Sequence, residues 1–138
     1  MKLLFSDSGY WIALLNPQDA LHAKALRISR TIRGRHIVTS QMVLTEFMNA
    51  YAKLGPQFRR LAVDFVRKLH ADPNTTVVEQ TGEQFHTALV LYAGREDKAW
   101  GLTDCASFLI MREQNITQAL AYDIHFRQAG FIPLLRED

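Results

Sequence analysis

Asp7, Glu46, Asp104 and Asp123 are the residues whose type and setting point to chemistry. Asp7 follows the apolar run Leu3-Leu4-Phe5, and Asp123 follows another, Ile116 to Ala121. Asp104 falls in the opening turn of an expected helix. Glu46 sits about two turns into another, among Val43, Leu44, Phe47 and Met48. Each acid also has a purely structural reading. Asp7 and Asp123 can cap helices, Asp104 can answer a helix macrodipole, and Glu46 can lie on a solvated helix face. If all four converge, however, their negative charges repel unless protons or a cation intervene. Carboxylate oxygens are hard donors, so Mg²⁺ or Mn²⁺ is the fitting guest. No pair of Cys or His has zinc-site spacing. Such a cation activates water and steadies a leaving oxygen in phosphodiester chemistry.

The elements around these acids alternate in type. Leu3-Leu4-Phe5 reads as a buried strand. Ser8–Leu15 reads as a short helix closed by Asn16-Pro17. From Ala20 to Arg33 the apolar positions Leu21, Ala25, Ile28 and Ile32 keep a helical period, with Gly34 as the stop. His36–Thr39 is a second strand, and Ser40 caps a helix from Gln41 to Leu54. Gly55-Pro56 separates this from a helix over Gln57–His70. Thr75–Val78 is β-branched and reads as a third strand. Thr81 with Gln84 forms a capping-box pattern for a helix to about Ala93, and Thr103 caps a helix through Arg112. Ile116–Ala121 is the fourth strand, Asp123–Gln128 a short helix, and Phe131–Leu134 a final edge strand. The alternation predicts an α/β/α sandwich: one domain over 1–138, with a parallel sheet of four to five strands flanked by helices. Ligands then bind beyond the carboxyl ends of the strands, where Asp7 and Asp123 fall.

Composition fits a globular chain, with 48% apolar and 22% charged residues. The single Cys105 excludes an internal disulfide and suits a reducing, cytoplasmic setting. The apolar start at Met1 is broken by Asp7 too early for a signal segment. No stretch reaches the ~18 apolar residues of a membrane span. The formal charge of +2 says little by itself, but sequestering four of the 14 acids leaves ten against 16 bases. That surface would suit a phosphate backbone. Lys24, Arg27, Arg30, Arg33 and Arg35 either track such a backbone or form a solvated face.

Four segments together resemble the PIN-domain family. Leu4-Phe5-Ser6-Asp7-Ser8-Gly9-Tyr10-Trp11-Ile12-Ala13-Leu14-Leu15 is similar to its first motif, and Thr39-Ser40-Gln41-Met42-Val43-Leu44-Thr45-Glu46 to its second. Trp100–Phe108 looks like the third. Ala121-Tyr122-Asp123-Ile124-His125-Phe126, followed by Ala129-Gly130-Phe131, looks like the last. The resemblance runs in order over nearly the whole chain, and the length is similar to that of VapC-type toxins. It implies a Mg²⁺- or Mn²⁺-dependent endoribonuclease acting on RNA. The acidic site would be Asp7, Glu46, Asp104 and Asp123, with Ser8 and Thr103 as supporting hydroxyls. It also implies a small protein antitoxin and a homodimer, the latter through the apolar stripe Tyr10, Trp11 and Leu14. A housekeeping RNA-processing nuclease, or an inactive RNA- or protein-binding module of the same fold, are the alternatives. Tyr122 departs from the pattern, because a small or hydroxylated residue there would leave room for another ligand.

Other residues keep two readings. Asp97 is an accessory acid or a solvated loop charge. His125 contacts substrate or packs beside Phe126. Trp11 and Trp100 stack on bases or sit in the core or an interface. Cys105 reads as a buried thiol.

Overall fold

The computed structural model describes residues 2–136. Met1, Glu137 and Asp138, part of the expected 1–138 domain, lie outside the described residues. Five parallel strands form one sheet: β1 (Leu4–Ser6), β2 (Ile37–Ser40), β3 (Thr75–Val78), β4 (Gln118–Leu120) and β5 (Ile132–Pro133). Their order is β3-β2-β1-β4-β5. The chain therefore winds outward from β1 in one direction through β2 and β3, and then crosses to β4 and β5 on the other side. Such a reversal leaves a crevice between β1 and β4 at the carboxyl edge of the sheet.

Seven helices flank the sheet: α1 (Ser8–Leu15), α2 (His22–Thr31), α3 (Gln41–Ala52), α4 (Pro56–Ala71), α5 (Gly82–Gly94), α6 (Leu102–Glu113) and α7 (Ile124–Gln128). The sandwich expected from the alternating pattern is what forms. Local chemistry sets the boundaries. Ser40 Oγ accepts the Val43 N–H and starts α3. Pro56 occupies the first turn of α4, where its missing N–H costs nothing. The turn before α2 runs longer than expected. Asp19 Oδ1 accepts the Leu21 N–H, holding Leu21 outside the helix, so α2 begins at His22 rather than near Ala20.

Two caps differ from expectation. Thr81 Oγ1 accepts the Gln84 N–H, but Gln84 Oε1 is buried without a partner among the described residues, so the return half of the box is absent. Thr103 is not the N-cap of α6. Gly101 holds that position, and Asp104 reaches back to accept its N–H at 3.0 Å. A carboxylate three residues on makes this bond even when the cap residue has no side chain of its own.

The core is continuous across both sides of the sheet. Phe5, Val38, Ala119 and Leu120 fill the strands, and Phe47, Tyr51, Phe108, Met111 and Phe126 come from the helices. Burying side chains of this size contributes roughly 1.5–3 kcal/mol each. Tyr10 and Trp11 belong to this core, at 1% and 2% exposure. Trp11 packs edge-on against Phe65 of α4, with ring centroids 5.2 Å apart. Helix α1 packs against α2 and α3, so Tyr10 and Trp11 of the expected interface stripe are interior, while Leu14 is partly exposed. The buried indole N–H is satisfied too. Trp11 Nε1 donates to Thr39 Oγ1 at 3.2 Å, and the Thr39 hydroxyl donates to the Ser6 carbonyl at 2.9 Å. This relay joins α1, β2 and β1. Among the described residues no helix is long and apolar enough to cross a membrane.

Candidate active site

Asp7 stands immediately past β1, and its N–H donates to the Leu120 carbonyl at the end of β4 at 3.1 Å. That bond places it on the crevice between the two strands. Asp7 holds the N-cap position of α1, yet its side chain accepts no capping hydrogen bond. The helix-cap reading therefore fails for this residue. The residue is 8% exposed, and its carboxyl pKa is pushed up to about 7. Burial is the main cause, the charge on Asp104 follows, and Glu46 and Asp123 add smaller repulsions, with the Ser8 backbone N–H partly offsetting them.

Glu46 is carried on α3 to the rim of the same crevice. Ser8 Oγ–H donates to its Oε1 at 3.0 Å, and the Thr103 hydroxyl also hydrogen-bonds it. The residue as a whole is exposed. Its carboxyl is nonetheless partly desolvated between these groups, which raises its pKa, and the charges of Asp104 and Asp123 push the same way. Asp104 projects from the first turn of α6. Burial raises its pKa, the Gly101 N–H and His125 lower it, and Asp123 raises it. Asp123 caps α7 by accepting the His125 N–H at 3.0 Å. For Asp104 and Asp123, then, the structural role and membership of the cluster coexist.

The structure thus brings Asp7, Glu46, Asp104 and Asp123 together, with Ser8 and Thr103 beside Glu46. His125, expected to pack beside Phe126 or to contact substrate, stands between two of the acids. Its Nδ1 lies 3.0 Å from Asp104 Oδ2 and 3.2 Å from Asp123 Oδ1. The Asp-x-His spacing was the available signal. A residue two after a helix-capping Asp turns back toward the cap. The ligating atoms of Asp104, Asp123 and His125 all fall within 4.8 Å of one another. Carboxylates that repel and hold protons too tightly lack a counter-charge, and an oxygen-rich donor set of this kind fits a hard divalent cation.

Several sequence candidates lie elsewhere. Asp97 is exposed and paired with Arg95 at 3.0 Å and Lys98 at 3.9 Å, so the loop-charge reading holds. Trp100 is 4% exposed, donates from Nε1 to Gln128 Oε1 at 3.0 Å, and lies under the Arg95 guanidinium. It is a core residue, with no face left for a base. Cys105 is buried and burial pushes its thiol up. Tyr122 is exposed and stacks under the Arg136 guanidinium. On the basic segment, Arg27, Arg30 and Arg33 are exposed. Arg35 bonds the Lys2 carbonyl and Gln118 at the amino-terminal edge of the sheet, opposite the acids.

The fold and the cluster define a class: an α/β domain whose sheet reverses at an acidic crevice. The model of the PIN-domain family matches residues 4–132, and the chain belongs to that family. The 23S rRNA-specific endonuclease VapC20 of Mycobacterium tuberculosis is 29% identical over 135 residues, covering 98% of this chain and all of that protein. The crystal structure of VapC20, described as a Sarcin-Ricin loop cleaving toxin, superposes with a TM-score of 0.83 at 26% identity, over 94% of this chain and 97% of the other. VapBC2 of Rickettsia felis, solved with a promoter DNA fragment, matches at a TM-score of 0.63 and 12% identity over 94% and 96% of the chains, a likeness of fold.

Proposed function

We propose that this protein is a metal-dependent endoribonuclease, the toxin of a toxin–antitoxin pair, with Asp7, Glu46, Asp104 and Asp123 as its acidic site. One observation supports this most: Asp7 is buried at the crevice with a strongly raised pKa and no capping task. A buried acid that neither caps nor pairs is an expense the fold does not need, and a cation would relieve it. Mg²⁺ or Mn²⁺, when bound, supplies Lewis acidity and an activated water for phosphodiester hydrolysis. Asp7, Glu46, Asp104 and Asp123 would hold it, with the Ser8 and Thr103 hydroxyls supporting Glu46 from the rim.

The likeness to VapC20 makes structured ribosomal RNA the first substrate to try. Incubated with a sarcin–ricin hairpin RNA, the protein is expected to cut within the loop in Mn²⁺ or Mg²⁺ and to lose all cutting in chelator. Cutting that persists in excess chelator would remove the metal from the reading, and intact RNA under every ion would remove the nuclease.

The partners in this reading are the RNA substrate, a small protein antitoxin, and a second copy of the chain, in the cytoplasm. Compared with α1, whose Tyr10 and Trp11 are buried, α5 offers more exposed apolar surface for the homodimer face. There Phe85, Leu89 and Tyr92 recur at helical spacing with 43%, 45% and 51% exposure, a stripe wide enough to mark an interface. Light scattering at tens of micromolar is expected to give twice the mass of the chain, and Leu89→Glu to halve it. A monomeric wild type would dismiss the dimer.

A further inference from the structure

His125 is the one side chain in the crevice that is not a carboxylate or a hydroxyl, and its position is unusually constrained. The ring is on α7, anchored below by Phe126, which is fully buried. Its Nδ1 sits 3.0 Å from Asp104 Oδ2 and 3.2 Å from Asp123 Oδ1. Each of those oxygens already accepts one backbone N–H, from Gly101 and from His125 itself. The ring nitrogen is beside both, and it hydrogen-bonds Asp104 Oδ2.

In this structure the 3.0 Å approach to Asp104 Oδ2 is a hydrogen bond. The donor atoms of Asp104, Asp123 and His125 lie within 4.8 Å of one another, close enough for one cation to take the place of that hydrogen bond and touch all three. Asp7 and Glu46 do not belong to the three-residue group whose donor atoms lie within 4.8 Å of one another, so the tightest donor set in the crevice is two oxygens and one nitrogen.

We propose that His125 is a direct nitrogen ligand of the cation in this crevice and biases the site toward Mn²⁺ over Mg²⁺. The inference rests on the reading of the crevice as a cation site and adds to it which ion is preferred and why. Mg²⁺ keeps its waters and binds oxygen. Mn²⁺ accepts imidazole and stands at the start of a series whose later members bind nitrogen more tightly still. An all-carboxylate site would make no such distinction beyond its charge.

The test uses the full chain, freed of metal and loaded with Mn²⁺. Pulsed electron paramagnetic resonance is expected to show modulation from a directly bound ¹⁴N, lost in His125→Ala and in His125→Gln. In competition titrations, His125→Ala is expected to weaken Mn²⁺ by about tenfold or more while Mg²⁺ changes by less than about threefold, a loss in the range known for changes around metal centres. The wild-type spectrum needs no variant, so the test survives a variant that fails to fold. Bound Mn²⁺ with no ¹⁴N modulation would overturn the ligand assignment and leave the cation site standing. Equal weakening of both ions would do the same, because His125 would then act only by steadying the two aspartates. No Mn²⁺ binding at millimolar concentration would overturn the cation site itself.

Discussion

Asp7→Asn and Asp104→Asn are each expected to abolish metal-dependent RNA cleavage while leaving the fold intact. Asn keeps the size and shape of Asp and serves about as well as a helix cap. Asp104→Asn still offers an oxygen to the Gly101 N–H, and Asp7 makes no capping bond to lose. What both changes remove is a negative charge at the crevice. Altering groups merely outside a metal centre costs 10–100-fold, so losing a charged ligand should exceed about a hundredfold. RNA binding should survive or tighten, because the phosphate no longer faces that charge. The measurement is a cleavage time course in Mn²⁺ beside a binding isotherm on the same hairpin. Either variant cutting at the wild-type rate would return that residue to a structural role.

The second large effect concerns pH and the metal-free fold. Asp7 has a pKa raised from 3.8 to about 7 in the folded chain. Between those values the folded protein holds a proton that the unfolded chain has released. Stability therefore falls as pH rises through this window, by about 1.4 kcal/mol per pH unit, and levels off above about pH 7. Glu46 and Asp104 are raised as well and act in the same direction. From pH 5 to pH 7.5 in chelator the loss from Asp7 is about 2.5 kcal/mol, or roughly 8 °C of melting temperature for a chain of this size. Asp7→Asn should remove most of that slope and melt higher than wild type at pH 7.5. Saturating Mn²⁺ should restore the wild type at the same pH. A wild-type melt that is flat or rises between pH 5 and pH 7.5 in chelator would contradict the buried, repelled state of Asp7.

The sequence made the fold legible because strands and helices differ in period, and most elements were bounded by Gly, Pro or a capping residue such as Ser40. Boundaries moved by one or two residues where a side chain intervened, as Asp19 does before α2. Strand order was not legible, because it depends on which strand edges the helices leave free. The acids were legible for a related reason: Asp7 and Asp123 each follow a buried strand, and parallel strands end at a common edge. The sequence reads His125 as a substrate contact or a packing residue rather than as a neighbour of two acids, although its place two residues after the helix-capping Asp123 carries that signal. The stripe Tyr10, Trp11 and Leu14 reads as an interface because α1 sits beside the crevice, with the core kept open for Trp11. What the sequence does not show is that α2 and α3 pack against α1, which turns Tyr10 and Trp11 into core.

The relay from Trp11 through Thr39 to the Ser6 carbonyl bears on slippage. Strand β1 has three residues and aligns with β2 at only two positions, Leu4 with Ile37 and Phe5 with Val38. A ladder that short resists sliding weakly, and a slip of one residue would turn every side chain to the opposite face. Asp7 would then move by about 3.3 Å and leave the crevice. The Thr39 hydroxyl adds a third point of attachment, at Ser6, one residue before the acid. A slipped pairing would leave the Ser6 carbonyl and the Trp11 indole N–H buried and unbonded, at about 1–3 kcal/mol each. The phase of the whole acidic edge is thus guarded by a hydroxyl that never touches it.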